Sequence, residues 1–144
     1  MPICEYLEAY EPKLLPENPI DKAKVRAVCE IINSGIQPLQ NLHVLRKLEK
    51  DFNIDQDGKV AWAGFFNAKG LQHVEELIKE TAGKYCFGDT LTLADFFLVP
   101  QVYSAAGRFK VPLEDTPTVK KVYENLITLD AFIKADFKNQ PDFQ

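Results

Sequence analysis

Apolar residues recur along this chain with the period of a helix. Ile3, Tyr6, Leu7 and Tyr10 stand at i, i+3, i+4 and i+7, which makes one stripe of a short first helix apolar. Pro12 ends that helix, and residues 13–20, with Pro16 and Pro19, read as an extended linker. Asp21 caps a second helix carrying Val25, Val28, Cys29 and Ile32, and the pattern runs on through a break as far as Phe52. After a turn at 53–58, a second long helix is predicted over 59–81, with Trp62, Phe65, Phe66, Val74, Leu77 and Ile78 apolar. A loop over 83–92 leads to shorter helices at 93–107, 117–129 and 131–134. Residues 136–144 form a polar tail held to the surface by Phe137 and Phe143. No runs of alternating β-branched residues joined by hairpin turns occur. The pattern predicts an all-α bundle built on two long antiparallel helices.

The break in the first long helix carries chemistry. Gly35 and Pro38 stand close together, and a proline inside a helix removes one N–H and crowds the carbonyl four residues back, here Ser34. A kink is expected there. Three amides, Gln37, Gln40 and Asn41, surround it, and the four-residue spacing of Gln37 and Asn41 puts both on one helical face. Two readings stand side by side. The amides satisfy backbone groups released by the kink, or they hold a polar ligand that has both donors and acceptors.

A second local signal is structural. Thr92-Leu93-Ala94-Asp95 fits the capping box, in which the Thr92 hydroxyl takes the Asp95 N–H and the Asp95 carboxylate takes the Thr92 N–H. Leu91 and Phe96 flank it at the spacing of a hydrophobic staple. Capping, not acid catalysis, is the expected role of Asp95. A third signal misleads: residues 53–60 resemble the start of an EF-hand loop, but the twelfth position, which needs a bidentate Glu, is Gly64.

Composition narrows the function classes. The 144 residues suit one domain, with 46% hydrophobic and 26% charged residues and a formal net charge of −4. Lys and Arg are scattered, whereas nucleic-acid binding needs a basic stripe. Apolar runs fall well short of the ~20 residues of a membrane span. Cys4, Cys29 and Cys86 form no CxxC and fit reduced thiols of a cytoplasmic or organelle-matrix setting. With only His43 and His73 beside them, no metal site is expected.

Several segments together carry a family resemblance: Ile36 to Val44 (IQPLQNLHV), Ala82 to Asp89 (AGKYCFGD), Leu91 to Asp95 (LTLAD), Leu98 to Val102 (LVPQV), Arg108 to Val111 (RFKV) and Gln140 to Asp142 (QPD). The chain resembles zeta-class glutathione transferases, also called maleylacetoacetate isomerases, from Ile3 onward. The resemblance implies the all-α bundle of the glutathione-transferase C-terminal type over residues 21–144, after a linker at 13–20. Residues 1–12 resemble the last helix of the thioredoxin-like domain that precedes the bundle in this family and activates the glutathione thiol. That domain is expected to lie outside this chain.

The same resemblance implies glutathione as cofactor, with Gln37, Asn41, Leu42 and His43 lining its pocket; His43 reads equally as polar surface. Arg108 matches the arginine that family members aim at a substrate carboxylate, and guanidinium suits a small dicarboxylate diketo acid. On its own, Arg108 reads equally as a surface arginine near a helix end. Tyr103 to Gly107 is one residue longer than the family's usual spacing, which would rotate or bulge the helix end. No catalytic residue is expected within the chain, and the cysteines read as small apolar core residues. The implied activity is cis–trans isomerisation of maleylacetoacetate in tyrosine and phenylalanine breakdown, by a homodimer when full length. A non-catalytic interaction module of the same fold is the rival reading.

Overall fold

A computed structural model describes residues 2–10 and 14–143. Among the described residues eight α-helices follow one another: α1 (Pro2–Leu7), α2 (Pro19–Glu30), α3 (Gln37–Gln40), α4 (Leu42–Phe52), α5 (Gln56–Ile78), α6 (Leu93–Tyr103), α7 (Pro117–Leu126) and α8 (Asp130–Ala135). Two π-helical turns, Ile31–Ile36 and Ser104–Arg108, extend α2 and α6, and a 3₁₀ turn covers Phe137–Asn139. The described residues contain no strand, only an isolated bridge between Ala82 and Gly88. The fold is therefore all-α, as the helical period predicts.

The 23-residue α5 is the hub. It packs against α2, α3, α4, α7 and both π-turns, while α6 lies on α2 and α7. Val25, Val28 and Ile32 meet Leu71, Val74, Ile78, Leu98, Val102, Val119, Val122 and Leu126 in one solvent-free core. Each such side chain contributes roughly 1.5–3 kcal/mol on burial. Ile36 sits so close to α5 that a Cβ on Gly70 would lie 2.3 Å from its Cγ1. Glu75, buried on α5, accepts the Thr118 and Val119 N–H groups at 3.0 and 2.8 Å. It thereby supplies the N-terminal cap that α7 lacks in its own sequence.

The expected long helix from 22 to 52 is the main correction. It is three helices and a π-turn. The Gln37 N–H reaches back to the Ile32 carbonyl, a five-residue step that admits one extra residue and leaves Pro38 in the first turn of α3. The missing N–H of proline is tolerated in that first turn. The true interruption comes at Asn41, which is extended (φ −65, ψ 145) and caps α4. Similarly, Asn18, not Asp21, caps α2, accepting the Ile20 and Asp21 N–H groups at 2.8 and 3.3 Å. The first helix ends at Leu7, earlier than expected: Glu8, Ala9 and Tyr10 are already turn and bend, and Pro12 itself lies outside the described residues.

The apolar stripe of α1 is not buried: Ile3 is 75% exposed and Tyr6 65%. Instead, α1 is tied down by polar groups. Glu5 takes a two-pronged bond from Arg26, and Glu8 accepts the Leu14 and Leu15 N–H groups, both at 2.8 Å. The linker in turn lends the Leu14 carbonyl to the Leu93 N–H at the start of α6. The EF-hand-like stretch is a turn in which Asp55 caps α5 through the Gly58 N–H. At the tail, the Phe137 ring meets Tyr103 on one side and Phe143 on the other.

Candidate functional site

Gln37 and Asn41 do not share a helical face, because the extended backbone at Asn41 ends the helical phase. Gln37 opens α3 with its side chain exposed. Asn41 spends its carbonyl oxygen on α4, accepting the His43 N–H at 3.3 Å and facing the His43 ring Nδ1 at 2.9 Å. His43 is an exposed ring held over its own cap. Gln40 turns the other way. Its Oε1 accepts from Asn67 Nδ2 at 2.8 Å and from Gln101 Nε2 at 3.2 Å. Of the two sequence readings, the backbone one describes Asn41, and neither describes Gln40.

Leu42 and Arg108, far apart in the chain, do come together. Both line a cleft of about 180 Å³ with Leu45, Arg46, Glu49 and Lys59 on its walls and Phe109 at its end. Arg108 reaches it as the last residue of the second π-turn. Its guanidinium lies over the buried Phe109 ring, 5.2 Å from the centroid. Lys59 pairs with Glu49 at 2.9 Å. Among the described residues neither Arg46 nor Arg108 has an ion-pair partner. The cleft therefore carries unbalanced positive charge beside apolar walls, which suits a small carboxylate. Gln37, Asn41 and His43 sit on the neighbouring segment, outside the lining of this cleft.

Thr92 and Asp95 form the capping box. The Asp95 carboxylate also accepts the Thr92 hydroxyl at 3.0 Å and, beyond the box, the Cys86 N–H at 2.8 Å. Asp95 is fully buried, which leaves it no access to a substrate. The Phe96 ring stacks on Phe132. Cys29 and Cys86 are fully buried. Burial pushes the Cys29 thiol up to about 12 and drives Cys86 upward as well, with the Asp95 carboxylate beside Cys86 adding to the effect. Neither thiol has nucleophilic character.

Sequence reasoning missed Asn67 and Gln101. Asn67 sits four residues after Ala63 on the buried face of α5, and an amide in that core stripe was the available signal. Gln101 lies within the LVPQV segment but has no local partner that would betray its role.

Known proteins align with this geometry. Residues 57–134 match the family model "Glutathione S-transferase, C-terminal domain". The chain is 42% identical over 142 residues to mouse maleylacetoacetate isomerase, covering 97% of this chain and 62% of that protein, so it spans less than two thirds of that relative. The holo structure of a bacterial zeta-class maleyl pyruvate isomerase superposes with a TM-score of 0.94 at 39% identity, over 99% of this chain and 69% of that one. Maleylacetoacetate isomerase from Anaeromyxobacter dehalogenans, solved with glutathione in its active site, superposes with a TM-score of 0.90 at 43% identity, over 97% of this chain and 64% of that one. The fold, the family match over more than half of the chain and these identities agree: the chain belongs to the glutathione S-transferase family, as a C-terminal helical domain of the zeta, maleylacetoacetate isomerase class.

Proposed function

We propose that the chain is the helical half of a glutathione-dependent maleylacetoacetate cis–trans isomerase of tyrosine and phenylalanine breakdown. The observation that carries this reading is the cationic cleft that joins Leu42 to Arg108. Its residues fit the chemistry required. Arg108 and Arg46 supply guanidinium donors for the two carboxylates of a diketo acid. Gln37 and the capped start of α4 at Asn41, Leu42 and His43 offer amide and backbone groups to the peptide-like cofactor. The mouse relative's name and the glutathione-bound bacterial structure support the same reading.

Glutathione would supply a thiolate that adds to the conjugated double bond, allows rotation and leaves. This chain's side chains bind and orient. Arg108 would hold a carboxylate in place during rotation and stabilise the negative charge that gathers on the diketo system. Activation of the thiol falls, in this reading, to the thioredoxin-like domain. In this reading α1 is the last helix of the thioredoxin-like domain, and its exposed stripe lies against the rest of that domain. A homodimer and a cytoplasmic setting belong to the same proposal, and the unpaired cysteines are consistent with a reducing compartment.

The test is an isomerase assay. The purified 144-residue chain should fold but show no glutathione-dependent turnover of maleylacetoacetate. Robust turnover would show that thiol activation lies within these residues and would overturn that part of the reading.

A further inference from the structure

Asn67 and Gln101 are 0% and 1% exposed, and they meet Gln40 in a cluster that spans α3, α5 and α6. Their hydrogen-bonding capacity is almost completely used. Asn67 Nδ2 donates to Gln40 Oε1 and to the Ala63 carbonyl, both at 2.8 Å. Gln101 Nε2 donates to Asn67 Oδ1 at 2.5 Å and to Gln40 Oε1 at 3.2 Å. Gln40 Nε2 returns a long bond of 3.5 Å to Gln101 Oε1. One residue earlier, the Trp62 indole N–H donates to the Leu39 carbonyl at 2.9 Å. Residues 39 and 40 are thus gripped from α5 and α6, immediately before the backbone turns extended at Asn41.

Stability alone does not account for this arrangement. An apolar trio of the same size would fill the space without desolvating three amides, and a buried amide network gains little even when fully satisfied. What the network does supply is a single direction and register for the chain leaving α3. That register decides where Gln37 and the Asn41–His43 cap stand relative to the cleft. Gln40 is the only member of the cluster on the segment, so it is the link.

We propose that Asn67 and Gln101 are positioning residues for glutathione, acting through Gln40 to hold residues 37–43 in their broken conformation. The proposal rests on the reading of that segment given under Proposed function. It concerns binding more than chemistry, so its signature is a rise in KM for glutathione that exceeds any fall in kcat.

The experiment uses the intact protein produced in full from its own gene, with variants Gln40→Met and Gln101→Met. Met keeps the length of Gln and removes its polar groups. Gln40→Met is the milder change, because it leaves the Asn67–Gln101 bond in place. Melting curves establish that each variant is folded at the assay temperature. Gln40→Met should raise KM for glutathione about tenfold more than it lowers kcat. On an Asn41→Ala background the same substitution should raise KM by a clearly smaller factor, because one of the groups being positioned is gone. A folded Gln40→Met protein with wild-type KM overturns the positioning role. So does an undiminished effect on the Asn41→Ala background. If the wild-type protein shows no dependence on glutathione, the reading beneath the proposal fails first and the proposal falls with it.

Discussion

At the scale of single residues, Asp95 holds three donors at once: the Thr92 N–H, the Thr92 hydroxyl and the Cys86 N–H. Removing a buried acceptor leaves each donor unsatisfied at about 1–3 kcal/mol. Asp95→Ala should therefore cost about 3 kcal/mol or more, beyond the ~1 kcal/mol of an ordinary cap. An unchanged melting curve would contradict this. The cap was legible because its partners lie three residues apart, whereas the Cys86 bond closes a loop that no local spacing announces. Burial of Cys29 has its own consequence. Its folded value of about 12 lies above the ordinary 9.0, so the folded chain keeps a proton that the unfolded chain releases between those values. That contribution to stability is intact below pH 9 and is lost as pH rises toward 12, by roughly 1.4 kcal/mol per pH unit. Thiol titration of the folded chain at neutral pH should leave Cys29 and Cys86 unmodified, and denaturation should expose both. Rapid labelling of either without unfolding would contradict the assignment.

At the scale of elements, the two π-turns explain what the sequence pattern concealed. The five-residue step of a π-turn takes one extra residue into the helix, so the positions after it are shifted by one against the 3.6-residue period. The apolar pattern from Val25 to Phe52 nevertheless reads as one stretch, although the backbone leaves the helix at Asn41. Helix type and the presence of a break near Gly35 and Pro38 were legible because the 3.6-residue period and proline's missing N–H are local; the place of the interruption was not, because Asn41 resembles any other amide until its ψ is known. The glycines in these elements make opposite predictions. Gly70 faces Ile36 so closely that Gly70→Ala should lower stability by about 1–3 kcal/mol through overpacking. At Gly35 an added Cβ would meet nothing within 4 Å, and the backbone there is helical, so Gly35→Ala should be neutral or raise stability by about 0.5–1 kcal/mol. Urea melts of both variants check this. A Gly70→Ala protein as stable as wild type would show that Ile36 moves aside freely.

At the scale of the molecule, the bundle brings an arginine from the π-turn that extends α6 to the start of α4, across α5. Neither composition nor periodicity foretold that meeting, since a net charge of −4 hides a local excess of cations. The IQPLQNLHV and RFKV segments pointed to it only through family resemblance. The interior cluster of Gln40, Asn67 and Gln101 stayed invisible for the same physical reason: its partners are distant in sequence and join only when the helices pack. The most direct measurement is glutathione-dependent isomerisation of maleylacetoacetate by the intact protein from its own gene, wild type against Arg108→Ala. The expected result is turnover by the wild type and, in the variant, a KM for the diketo acid raised at least about tenfold, with KM for glutathione little changed. Wild-type turnover that is indifferent to Arg108, or no glutathione-dependent turnover at all, would contradict the assignment of this cleft to the substrate.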